Sequence, residues 1–73
     1  MAHRCSDNGA LRNAISNRFS IPSDDSQLGK SIFRIEGFIC TLFSNGTVQF
    51  QGKQNLQIQD YIIDAINKIN SIN

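Results

Sequence analysis

The chain has 73 residues, of which 40% are hydrophobic and 18% charged, and its formal net charge is +1. This length has room for one domain, and a domain this short buries only about 60% of the surface of its unfolded chain. The small net charge argues against a tail that binds nucleic acid by bulk attraction, but it leaves room for a local basic patch. No apolar stretch has the length of a signal peptide or a membrane span, so we expect a cytoplasmic protein with no membrane partner.

Residues 1–8 are polar, and we predict that they are frayed, with a single domain over residues 9–73. Asp7 or Asn8 is suited to cap a helix, because a short polar side chain can accept from the first free amide groups. Apolar residues then recur at helical spacing, which predicts a helix from Gly9 to Arg18. Residues 20–29 have the composition of a loop, and Pro22 prevents the helix from continuing through them.

Three strands are predicted next, over residues 31–36, 38–44 and 47–51. Asn45-Gly46 stands between two apolar runs, which is the strongest short-range signal for a β-hairpin. We therefore predict a tight turn over residues 44–47. The expected form is type I′, in which both central residues have positive φ.

The last segment is predicted to be a helix that begins after Asn55 as N-cap. Its apolar residues recur every three or four positions and mark one face: Ile58, Ile62, Ala65, Ile66, Ile69 and Ile72. The predicted class is therefore α+β, with a helix, a three-stranded antiparallel sheet and a C-terminal helix.

Alternation along the strands sorts their side chains onto two faces. One face is apolar and should be the core: Phe33, Ile35, Cys40, Leu42, Val48 and Phe50. The other face mixes apolar, hydrogen-bonding and cationic side chains, and two helices are not expected to cover it: Ile32, Arg34, Ile39, Thr41, Phe43, Gln49 and Gln51. An exposed face of this composition is a candidate contact surface, unless the long loop or a second copy covers it.

No pattern in the sequence indicates catalysis. His3 is the one histidine and lies in the terminus that we expect to be frayed. The pair Asp24-Asp25 fits a solvated loop better than a metal site, and the two cysteines, Cys5 and Cys40, lack zinc spacing. We therefore expect no enzyme activity, no catalytic or metal-binding residues and no cofactor.

The stretch Ser31-Ile32-Phe33-Arg34-Ile35-Glu36 and the hairpin over residues 40–53, followed by a long amphipathic helix, resemble one repeat of the TATA-box-binding protein. It is similar also to the small domain of that fold at the N-terminus of ribonuclease H class III, especially in the ending Phe50-Gln51-Gly52-Lys53. The resemblance covers roughly residues 28–72. It implies half of a saddle-shaped fold whose sheet face rests on nucleic acid, either duplex DNA or an RNA–DNA hybrid.

Carried over by position, the resemblance implies roles for the residues of that face. Phe43 matches a phenylalanine wedge that separates base steps, and Leu28 falls near the place of a second wedge. Arg34 matches an arginine that approaches the phosphate backbone. Thr41, Gln49 and Gln51 match positions that face the groove, where glutamine can donate and accept hydrogen bonds. The chain departs from the family in having one repeat, few flanking lysines and no strand predicted before the first helix.

Two other interpretations stay open. The chain could be a protein-interaction or regulatory module that forms a homodimer, or docks through its sheet on a larger nuclease or toxin. The double-stranded-RNA-binding domain shares the order helix, three strands, helix. Its lysine cluster at the start of the second helix is missing here, because only Lys53 precedes Gln54, so we rank that interpretation lower.

Overall fold

The computed structural model describes residues 2–72, with side chains for residues 3–71. It has four strands and two helices, in the order β, α, β, β, β, α. Their bounds are β1 Ala2–Arg4, α1 Asn8–Phe19, β2 Lys30–Ile35, β3 Phe38–Phe43, β4 Thr47–Gly52 and α2 Leu56–Ile72. The predicted α+β class and both predicted helices are confirmed, and the three predicted strands agree to within one residue at each end.

The sheet contains four antiparallel strands in the order β1-β4-β3-β2, so the prediction of three strands was wrong. The segment predicted to be frayed supplies the fourth strand, in which His3 pairs with Val48 and Arg4 with Thr47. Beyond it, the Cys5 amide donates to the Gly46 carbonyl at 2.8 Å, and the Cys5 side chain is buried. A strand of three residues is too short for its alternation to stand out in the sequence, and pairing with β4 holds it in place.

Both helices pack on the same face of the sheet. The Asp7 carboxylate caps α1 by accepting from the Ala10 amide at 3.1 Å, and Asn55 caps α2 by accepting from the Ile58 amide at 3.2 Å. Both predicted N-caps are therefore confirmed. The core between helices and sheet consists of Cys5, Leu11, Ile15, Phe33, Ile35, Phe38, Cys40, Leu42, Val48, Ile58, Ile62 and Ile66. It includes every predicted strand core residue except Phe50, which is partly buried against it.

The hairpin between β3 and β4 lies where the sequence predicted it, but its conformation differs. Gly46 has φ 96°, whereas Asn45 is not in the positive-φ region, so the type I′ prediction was wrong. The turn hydrogen bond runs from the Gly46 amide to the Phe43 carbonyl at 3.0 Å, which gives a three-residue loop ending in a left-handed glycine. The Asn45 side chain stabilises this form by accepting from the Thr47 amide at 3.0 Å.

A two-residue turn with both residues at positive φ does occur, but between β2 and β3. Ile35 pairs with Phe38, and the turn residues Glu36 and Gly37 have φ 50° and 89°. The sequence showed only that Gly37 ends a strand, because glutamate is not a residue that favours the left-handed region. Neither helix in the described residues is long and apolar enough to cross a membrane.

Candidate functional site

The side of the sheet that faces away from the helices is the candidate site, and we call it the open face. Cross-strand partners share a face of a sheet, and the pairs Ile32–Thr41, Arg34–Ile39, Thr41–Gln49 and Ile39–Gln51 all lie there. Lys30 pairs with Phe43 on the same side. The open face consists of Arg4, Lys30, Ile32, Arg34, Ile39, Thr41, Phe43, Thr47, Gln49 and Gln51. The structure thus brings together all the predicted site residues except Leu28.

The centre of the open face is less accessible than the sequence predicted. Ile32 is only 8% exposed and Thr41 only 6%, although neither belongs to the core under the helices. The loop pairs with Ile32 through Asp24, and Thr41 lies on the inner strand β3 between Ile32 and Gln49. Ile39, Phe43 and Gln49 are half-buried, and Gln51 is exposed. A ligand would therefore meet the glutamines and the aromatic ring first.

Leu28 does not lie on the sheet. It belongs to the loop before β2, and its side chain is fully exposed. It borders a groove of about 400 Å³ between that loop and the start of α1, which Arg12 and Lys30 also line. The resemblance predicted Leu28 to lie near the place of a second wedge, in the lead-in to the first strand, and the structure places it outside the open face.

Arg34 is engaged by a carboxylate of the preceding loop. Its Nη1 atom lies 2.8 Å from Asp24 Oδ2, and both side chains are partly exposed. The backbone of Asp24 forms two hydrogen bonds with Ile32 at the edge of β2, of 2.7 and 3.0 Å. The carboxylate is thus held beside the guanidinium by main-chain pairing as well as by charge.

The loop carboxylates are held in their charged form. Hydrogen bonds from Ser26 and from Arg34 keep the pKa of Asp24 well below its usual range. Hydrogen bonds from Ser31 and Ser23 lower the pKa of Asp25, and Arg12 lies 4.0 Å from it. The loop over residues 20–29 is therefore an acidic segment along the outer edge of β2.

Two further cations lie on the open face, and the sequence predictions missed both. The Lys30 Nζ atom lies 5.4 Å from the centre of the Phe43 ring. The Arg4 Nη2 atom donates to the Asn45 carbonyl at 3.0 Å, beside the β3–β4 turn. Lys30 was placed just outside its strand, and Arg4 fell in the segment expected to be frayed. In the sequence, β1 could have been recognised from alternation, because the polar Arg4 stands between His3 and the apolar Cys5.

The remaining reactive side chains lie elsewhere. The His3 ring packs 5.1 Å from the Phe50 ring, on the side of the sheet opposite to Arg4. Cys5 and Cys40 are free and buried, and burial raises the pKa of the Cys40 thiol to about 12. Among the described residues, no group of three or more histidine, cysteine or carboxylate side chains could hold a metal ion.

Comparison of the chain with models of protein families, with curated proteins and with solved structures finds no match.

Proposed function

We propose that this chain is a non-catalytic module that binds nucleic acid, DNA or an RNA–DNA hybrid, through the open face of its sheet. The observation that carries the proposal is a cluster of cations on the open face, of which Asp24 of the adjoining loop compensates one. Three cations belong to the open face, namely Arg4, Lys30 and Arg34. All six carboxylates of the sequence lie outside the strands, in turns, loops and α2.

This cluster of cations reconciles a net charge of +1 with binding to a polyanion. Attraction to phosphate depends on where cations lie, and release of counterions adds to the affinity with each phosphate that they neutralise. The acidic residues of α2, Asp60 and Asp64, are on the helical side, where Lys68 lies 3.0 Å from Asp64. They would not oppose a strand of nucleic acid on the sheet.

The side chains between the cations suit contact with bases. The half-buried Phe43 ring can stack on a base, and every base offers a face for stacking. Gln49 and Gln51 carry one donor group and one acceptor group each, and both point to the open face. These contacts support the module as a binder, and nothing about them requires a reacting group.

Titration tests the proposal directly. We expect fluorescently labelled duplex DNA, RNA–DNA hybrid or single-stranded DNA to bind at low salt, with affinity that falls as salt is added. The variant Arg4→Gln/Lys30→Gln/Arg34→Gln should lose this binding. The matched control Arg12→Gln/Arg18→Gln/Lys68→Gln removes the same charge from outside the open face and should retain it. Failure of the unaltered chain to bind any of the three, or equal loss in both variants, would overturn the proposal.

A second candidate is docking of a protein, including a second copy, on the open face. The half-buried apolar side chains Ile39 and Phe43 favour it. Pairing at the β2 edge of the sheet is less favoured, because the backbone of Asp24 already pairs with Ile32 there. Ile39→Lys separates the two candidates. The added cation should strengthen binding to nucleic acid, whereas it should break a dimer or protein complex that forms over Ile39, as followed by sedimentation.

A further inference from the structure

The three cations of the open face are not equivalent, because Asp24 compensates only one of them. The Asp24 carboxylate lies 2.8 Å from Arg34 and also accepts from the Ser26 amide at 3.0 Å. Its backbone is fixed by both hydrogen bonds to Ile32. Arg34 and Asp24 together carry no net charge, and a phosphate that approaches Arg34 meets a carboxylate already in place. Binding of a phosphate at Arg34 therefore adds little to the affinity for nucleic acid.

Lys30 and Arg4 keep their charge uncompensated. Within residues 3–71, no carboxylate lies within ion-pair distance of either side chain. The Lys30 ammonium group lies over the Phe43 ring, and Arg4 donates to the neutral carbonyl of Asn45. Both partners are electrically neutral, so both cations remain able to attract phosphate.

These two cations lie at the same end of the sheet. At one edge of the sheet, Lys30 of β2 pairs with Phe43, and at the other edge, Arg4 of β1 pairs with Thr47. Phe43 and Thr47 directly flank the β3–β4 turn. We call these four residues the hairpin-end row: Lys30, Phe43, Thr47 and Arg4. Its cations stand on the two outer strands, three inter-strand spacings or about 14 Å apart at the backbone, with the aromatic ring between them.

The sizes of the contributions from counterion release, base unstacking and base stacking decide which form of nucleic acid the hairpin-end row binds best. Two uncompensated cations release few counterions when they bind phosphates. The logarithm of the affinity for a single strand should therefore fall by about 1.4 for each tenfold rise in salt concentration, and we call this fall the salt slope. Insertion of a side chain into a duplex has to unstack a base step, which costs free energy. A single strand offers its base faces without that cost, and one stacked base strengthens binding by about fivefold to 150-fold.

We propose, resting on the function proposed above, that the hairpin-end row is the binding site and that it takes single-stranded DNA. The strand crosses the sheet from Lys30 to Arg4, with phosphates on these two cations and a base on Phe43. Asp24 is the residue that sets this location, since it keeps Arg34 out of the site.

The test measures the affinity of an oligothymidylate of about twelve nucleotides by fluorescence anisotropy at several salt concentrations. Lys30→Gln and Arg4→Gln should each weaken binding roughly threefold to tenfold and lower the salt slope by about 0.7. Arg4→Lys should recover most of the loss, because the charge returns. Arg34→Gln should change the affinity less than about twofold, and it is the matched control on the same face.

The variant Asp24→Asn tests directly whether Asp24 keeps Arg34 from contributing to binding. Asparagine keeps the backbone bridge to Ile32 and an oxygen for the Ser26 amide, so the loop stays in place while Arg34 regains a net charge. We expect this variant to bind the oligonucleotide about twofold to fivefold more tightly. The gain should vanish in the double variant Asp24→Asn/Arg34→Gln, which isolates the coupling between the two residues.

The outcomes separate this inference from the function on which it rests. Equal losses from Arg34→Gln and Lys30→Gln, or no gain from Asp24→Asn, would overturn the inference while nucleic-acid binding stands. Tighter binding of duplex DNA or hybrid than of the single strand would do the same. If the unaltered chain binds no nucleic acid at low salt, the proposed function fails, and the inference fails with it.

Discussion

The side chain of Asn70, near the end of α2, donates from Nδ2 to the main-chain carbonyl of Arg4 at 3.0 Å. Its Oδ1 atom accepts from the Ser6 amide at 2.8 Å. One carboxamide thus bonds both to the last residue of β1 and to the segment just after it. The last turn of α2 thereby holds β1 in place, and with it the side chain of Arg4 beside the β3–β4 turn.

Replacing Asn70 should therefore loosen β1. We expect Asn70→Ala to lower the free energy of unfolding by about 1–2 kcal/mol, since two hydrogen bonds are lost. The measurement is urea denaturation followed by circular dichroism. Asn67→Ala is the control, because Asn67 is an exposed residue of the same helix and should change stability by less than about 0.5 kcal/mol. Equal effects of the two substitutions would show that Asn70 acts through helix propensity alone.

The sequence predicted the parts of the fold that depend on local periodicity. The spacing of Ile58, Ile62 and Ile66 fixed the buried face of α2, and alternation in β3 and β4 placed Phe43 and Gln49 on the same side. These signals arise within one element and need no knowledge of its neighbours. The α+β class and the grouping of the open-face residues follow from them.

The parts that the sequence did not predict depend on contacts between distant segments. β1 has only three residues, and it is held by β4 and by Asn70, which is 66 positions from Arg4. The ion pair between Asp24 and Arg34 spans a loop whose course over the edge of β2 has no periodic signal. Propensity also failed at Glu36, where tertiary pairing imposes a left-handed turn on an unsuited residue.

Glu36 offers a route to higher stability. It has φ 50° in the two-residue turn before Gly37, a conformation that asparagine tolerates and that favours the pair Asn-Gly. We expect Glu36→Asn to raise the free energy of unfolding by about 0.5–1 kcal/mol. Glu36→Gln removes the same charge without relieving the backbone, so thermal denaturation should show no comparable gain. A gain of similar size in Glu36→Gln would assign the effect to charge.

Gly52 allows β4 to pass close to the β2–β3 turn. A Cβ atom on Gly52 would lie 2.4 Å from the Gly37 carbonyl oxygen, and its φ of 78° disfavours other residues. Gly52→Ala should lower the free energy of unfolding by about 2–4 kcal/mol, because the backbone of β4 or of the β2–β3 turn has to move. Gly9→Ala is the contrasting control. A Cβ atom there would meet only Asp7 Oδ1 at 3.4 Å, so the substitution within α1 should raise stability by up to about 1 kcal/mol. Tolerance of alanine at Gly52 would contradict the close approach.

Acid should weaken the attachment of the loop to β2. The pKa of Asp24 is depressed in the folded chain, so its contribution to stability is present above the unfolded pKa of about 3.9. That contribution is lost as the pH falls below this value, because the unfolded chain then takes up the proton more readily. Asp24→Asn should thus be less stable than the unaltered chain at pH 7, and the difference should shrink as the pH falls below about 4. Urea denaturation of both chains over this pH range measures it. A difference that stays constant would show that the charge of Asp24, including its ion pair with Arg34, does not stabilise the fold.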